Sequence, residues 1–78
     1  MQDVYAVYAI DSDGYDAVQV FTSKDAAKHF ILKCHKVLQK WADENNLKYK
    51  TSINTMYIPE IDAYYIWKIF KTKLEDEQ

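Results

Sequence analysis

One strong helix signal sits among strand segments that are apolar on both faces, and this most constrains how the chain can fold. From Ser23 to Asn45 the apolar residues Ala27, Phe30, Ile31, Cys34, Val37, Leu38 and Trp41 recur at spacings of three and four. That spacing lays one apolar stripe along an α-helix. Thr22 or Ser23 supplies the N-cap, Asp25 places a negative charge in the first turn, and Asn45-Asn46 tolerates the left-handed backbone that ends a helix. The segment Val4 to Ile10 reads as a strand with Val4, Ala6, Tyr8 and Ile10 on one face and Tyr5, Val7 and Ala9 on the other. Both sets are apolar, as in strands covered on both sides. One helix covers one face of a sheet, so the second face needs another cover.

The rest of the chain supplies the sheet. Asp11-Ser12-Asp13-Gly14 is turn chemistry, its Asp-Gly step suited to a hairpin, and a second strand is expected over Tyr15 to Phe21. Leu47 to Thr55 alternates like a solvated strand, and Pro59 then interrupts the pattern because it cannot donate to a ladder. Ala63 to Phe70 is rich in rings and β-branches, which favours a strand with Ala63, Tyr65, Trp67 and Ile69 against Tyr64, Ile66 and Phe70. A second helix over Ala63–Leu74, lying on the uncovered face, stays open as the other reading. The expected fold is α+β: a small antiparallel sheet with one long helix packed on one face, in the order β-β-α-β-β. With 78 residues the chain is one domain, 1–78, with 72–78 a frayed polar tail.

Composition removes much chemistry. Cys34 is the only cysteine, so neither an intramolecular disulfide nor a cysteine-rich zinc site can be built. Gly14 is the only glycine, which removes Gly-rich phosphate loops and dinucleotide fingerprints. No apolar run approaches the ~20 residues of a membrane span. The opening MQDVYAVYAI carries Asp3 where a secretion signal carries a cation, so a cytoplasmic location is expected. Asp11, Asp13 and Asp16 resemble the start of a calcium loop, but its twelfth position is Thr22 rather than a bidentate Glu. His29 and His35 are six residues apart, and Cys34 and His35 point about 100° apart on a helix, so neither pair converges on a ligand. Glu60 and Asp62 read as loop solubility, and Ser12, Ser23 and Ser52 lack a nucleophile-elbow context. No catalytic residue, metal or cofactor is expected.

The charge is polarised. All ten cations are Lys. Between Lys24 and Lys50 seven lysines stand against Asp25, Asp43 and Glu44, a net +4, while the remainder carries three lysines and nine acids, a net −6. Lys28, His29, Lys33, Lys36 and Lys40 lie opposite the apolar stripe. Lys33, Lys36, Lys40, Lys48 and Lys50 are the candidate contacts for phosphates or an acidic partner. Without Arg there is no guanidinium fork to read bases or phosphates bidentately, so a solvated exterior is favoured and any nucleic-acid binding would be of low specificity.

Seven of the twelve aromatic residues are Tyr, a surplus for so small a core and suited to an interface. The stretch VYAVYAIDSDGYDAVQVFTSKDAAKHF resembles small uncharacterised hairpin-helix domains of bacteria and phages, which open with a hairpin, a Phe-Thr/Ser helix cap and an Ala in the first turn. The resemblance implies the fold and the style of a phage accessory protein that inhibits a host protein by binding it; it carries no functional residues across. The expectation is a non-catalytic protein–protein interaction module, pairing with itself as a homodimer or with another protein through an aromatic sheet face. Tyr5, Tyr64, Trp67 and Phe70 are the expected anchors.

Overall fold

The computed structural model describes residues 2–14 and 16–74. Tyr15, expected to open the second strand, and 75–78 of the expected tail lie outside the described residues. Strands β1 (Gln2–Asp11) and β2 (Asp16–Phe21) form the hairpin, followed by helix α1 (Lys24–Glu44), then β3 (Lys50–Thr51), β4 (Thr55–Ile58), a 3-10 turn (Pro59–Ile61) and β5 (Ala63–Leu74). One five-stranded sheet has the order β2-β1-β5-β4-β3 with every neighbour antiparallel. The α+β class and the strand–helix order are as the sequence predicts.

The turns follow from their residues. At the hairpin tip Gly14 takes φ +84° and its N–H donates to the Asp11 carbonyl, while the Asp11 carboxylate accepts from the Asp13 N–H at 3.0 Å. Ser23 caps α1, its Oγ accepting from the Ala26 N–H at 3.1 Å. At the far end the Leu47 N–H reaches the Ala42 carbonyl (2.8 Å) and the Asn46 N–H the Asp43 carbonyl (3.1 Å), with Asn46 left-handed at φ 57°. This is a Schellman closure using Asn where Gly is usual.

The last third departs from expectation in detail. Over Leu47–Thr55 only Lys50–Thr51 and Thr55, the first residue of β4, pair as strand; between them the Ser52 N–H donates to the Thr55 carbonyl. The residues just before Pro59 become β4, and Pro59 starts the 3-10 turn, where its missing N–H costs nothing. Ala63–Leu74 is a strand, which removes the second-helix reading. It pairs with the whole of β1, from Gln2↔Leu74 to Asp11↔Tyr65. Residues 72–74 of the expected tail are therefore strand.

Register and alternation assign the two faces. Tyr5, Val7, Ala9, Tyr65, Trp67, Ile69, Met56 and Ile58 share the side that packs against α1, where Val7, Met56 and Ile58 are essentially fully buried. The helix turns Ala27, Ile31, His35 and Ala42 inward. Val37 and Trp41, expected on the buried stripe, are instead exposed, Val37 to 68%. The alanines near the two ends let the helix backbone approach the sheet, and His35, four residues after Ile31 and seven before Ala42, falls on the line between them. Its ring lies against Trp67 with centroids 4.7 Å apart.

Candidate functional site

A helix is about 10 Å wide and five strands span about 19 Å, so α1 leaves its own side of the sheet partly uncovered. On one flank a groove of about 450 Å³ opens among Phe30, Cys34, Leu38, Ala9, Tyr65 and Trp67, with Lys33 also on its wall. On the other, a groove of about 340 Å³ runs between Ile31 and Leu32 of the helix and Ile53, Trp67 and Ile69.

No described element covers the opposite face of the sheet. Val18 and Val20 of β2, Tyr57 of β4, and Tyr64 and Phe70 of β5 fall on it by register, at exposures of 59%, 57%, 38%, 42% and 52%. Ala6, Tyr8, Ile10 and Ile66 lie between them by register and are half-buried. Val4 is buried on this side, apart from the core under the helix. A fully accessible side chain of this kind offers ~150–250 Å², so the five exposed residues present on the order of 500 Å² of apolar surface. That stands in the upper part of the range for the largest patch of a soluble monomer. Lys68 lies in the patch, beside Tyr8 in the register and between Ile66 and Phe70 along the strand, and Lys50 of β3 stands at its edge beside Tyr57.

Of the four expected anchors, the structure brings Tyr64 and Phe70 together on this open face. Tyr5 and Trp67 are on the other side. Trp67 is buried in the core, and Tyr5 is half-buried against it. The reason is the strand's period of two: odd and even positions of β5 cannot share a face, so Trp67 parts from Tyr64 and Phe70. Val18, Val20 and Tyr57 were missing from the expected anchors. For Val18 and Val20 the available signal was a second strand with valines at alternate positions on a hairpin partner of β1.

The five candidate lysines are all exposed, and none is paired with a carboxylate among the described residues. Lys33, Lys36 and Lys40 are on α1. Lys48 and Lys50 lie beyond its C-terminus and line a cleft of about 590 Å³ with Tyr49, Pro59 and Glu60. The described carboxylates and thiol do not assemble into a reactive centre. Burial pushes the Cys34 thiol above its ordinary range, the reverse of an activated nucleophile. Burial lowers the His35 imidazole, whose Nε2 has no hydrogen-bond partner. The Tyr57 hydroxyl donates to Asp62 Oδ1 at 3.1 Å, and that bond, then slight desolvation and the carboxylate charge, raise its pKa. Tyr65 is raised by burial and by the charges of Asp11 and Asp13. Among the described residues no three of His, Cys, Asp and Glu gather as a metal site, and no helix is long and apolar enough to cross a membrane. No family model, curated protein or solved structure matches this chain.

Proposed function

We propose that this chain is a non-catalytic protein–protein interaction module that pairs through the open face of its sheet. The observation that carries the reading is the row of large apolar side chains, Val18, Val20, Tyr64 and Phe70, left exposed on the one face no described element covers. Tyr64 and Phe70 are the anchors, since aromatic rings bury large area at small entropic cost. In its finer form the module is a cytoplasmic regulator or inhibitor of phage accessory type, acting by occupying a protein surface. The test compares immobilised wild type with Tyr64→Asp, Phe70→Asp and, as a control on the helix, Val37→Asp. A protein retained by wild type and control but lost with both sheet variants supports the reading. Retention that ignores the sheet variants and follows the control rejects it.

A second reading is supported by Lys33, Lys36, Lys40, Lys48 and Lys50, which are exposed and have no carboxylate partner among the described residues. It is low-specificity binding of nucleic acid or nucleotides. Affinity for a single-stranded oligonucleotide would fall steeply with salt and vanish when these lysines are reversed to Glu. Absence of binding at low salt removes it.

A further inference from the structure

We propose that the occupant of the open face is a second copy of this chain, packed sheet on sheet about a two-fold axis that runs between β1 and β5, parallel to the strands. The inference rests on the interaction-module reading and commits it to one partner.

The register supports this seating. A two-fold axis between two paired antiparallel strands places each residue opposite the other copy's version of its own cross-strand neighbour. The neighbours on the open face are Val4↔Thr72, Ala6↔Phe70, Tyr8↔Lys68 and Ile10↔Ile66. Across the dimer, Phe70, exposed to 52%, meets the small Ala6, so an exposed ring of β5 faces the shortest open-face side chain of β1. Ile66 meets Ile10. Lys68 meets the ring of Tyr8, a cation–π pairing made twice by the symmetry. Sheets packed face to face are rotated by about −30°, so the end rows drift; the three central pairs set the seating, and on either side of them β2 lies over the other copy's β4.

Charge selects this axis over the nearest alternative. An axis directly over β5 would set the Lys68 ammonium against its own symmetry mate in an apolar surround. The axis between β1 and β5 instead offsets the two lysines by one strand spacing, ~4.8 Å, and sets each against a Tyr8 ring. The chain's net charge of −2 adds little repulsion between copies. Burying on the order of 500 Å² of exposed apolar side chain per copy, with the half-buried residues and the Lys68 stem added, brings the total to about 1,000 Å² or more. This reaches the threshold of a specific interface.

The test is sedimentation equilibrium on the full chain from low micromolar to several hundred micromolar. Wild type is expected to rise from the 9.2 kDa monomer toward twice that mass. Phe70→Ala leaves a void against Ala6, and Ala6→Phe sets two rings in one place, so each is expected to weaken association roughly tenfold or more. Mixed in equal amounts, the two variants restore both ring–alanine pairs and with them the dimer. Lys68→Glu with Tyr8→Lys repeats the design with charge and does not depend on core volume; circular dichroism confirms that each variant is folded. A wild-type dimer whose paired variants fail to restore mass on mixing overturns the proposed seating. A wild-type dimer dissolved by Val37→Asp but not by Phe70→Ala overturns the seating and the face reading together. A wild type that remains monomeric overturns the second copy. An apolar fluorescent dye bound by that monomer and lost with Phe70→Asp would leave the face open to a different protein, and no such dye site would remove the face reading as well.

Discussion

His35 should be a liability of the helix-side core that grows as pH falls. It is 7% exposed, its ring is against Trp67, and its Nε2 has no partner. Replacing it by Leu removes an unsatisfied polar atom whose burial costs about 1–3 kcal/mol. Against this stand the lost ring pairing with Trp67, about 0.5–1.5 kcal/mol, and a small repacking cost. His35→Leu is therefore expected to stabilise the chain by about 1 kcal/mol at pH 8. The pH dependence adds a second, cleaner signal. Burial depresses the imidazole pKa in the folded state below its ordinary value of 6.5, so the folded chain favours the neutral form. The stability tied to that neutral form is complete above pH 6.5 and is lost as pH falls through 6.5 toward the folded-state pKa.

With an unfolded-state pKa of ~6.5, the loss reaches at most about 1.4 kcal/mol by pH 5.5. His35→Leu does not suffer it, so its advantage over wild type should widen between pH 8 and pH 5.5, by no more than that amount. Urea unfolding of both proteins, followed by far-ultraviolet circular dichroism at one low protein concentration, reads this directly. A fixed concentration matters because any self-association adds stability by mass action. His29 is present in both chains and cancels in the difference. An advantage that stays constant across this pH range, or a variant less stable than wild type at pH 8, would refute the account of His35 as a buried, neutral, unpartnered group.

Met56 is fully buried, so Met56→Ala should cost about 2–5 kcal/mol, comparable with the whole ~3–5 kcal/mol of a small single core, and leave the chain largely unfolded at 25 °C by circular dichroism. Two of the left-handed positions should respond in opposite senses to the same denaturation assay. Asn46→Gly, at φ 57°, gains up to about 1 kcal/mol, whereas Gly14→Ala, at φ +84° with open space around its Cα, loses about 1–2 kcal/mol from backbone strain alone. Asp62→Asn should return the Tyr57 phenol toward its ordinary titration range, because the hydrogen bond to the Asp62 carboxylate is the main cause of its rise. Ultraviolet titration of wild type against the variant measures it, and superimposable curves would contradict that cause.

Much of the fold could be read from residues whose local preference and final environment agree. Ser23 caps α1 as its side chain dictates, the Asp-Gly step turns the hairpin, and Asn45-Asn46 ends the helix. The two-sided apolar character of β1 and β5 fits their inner places in the sheet. What escaped was set by tertiary context. The apolar stripe on α1 is wider than the contact the sheet offers, so periodicity alone could not say whether Val37 and Trp41 or His35 would turn inward. Counting His35 as polar hid its place four residues after Ile31. Lys50–Thr51 and Thr55–Ile58 are too short to carry a periodic signal, and their pairing is imposed by β5. Trp67 was grouped with Tyr64 and Phe70 by residue type, although their spacing in a regular strand already separates them.

The open face and His35 bear on each other through the size of the core. Under the helix the large, fully buried side chains are Met56, Ile58 and Val7, a short inventory for a chain that is 49% hydrophobic. A core of that size leaves little margin for an unsatisfied imidazole costing about 1–3 kcal/mol. The apolar residues that would widen the margin, Val18, Val20, Tyr64 and Phe70, are folded into the same sheet but face away from the helix. They contribute in full only when something removes them from water. A second copy on that face would stabilise β1 and β5 from the side opposite His35, through the strands that carry both Trp67 and Phe70. The defect in one layer is then tolerable because the other layer is completed by association, and the thin core and the exposed sheet become two consequences of a fold with a single helix.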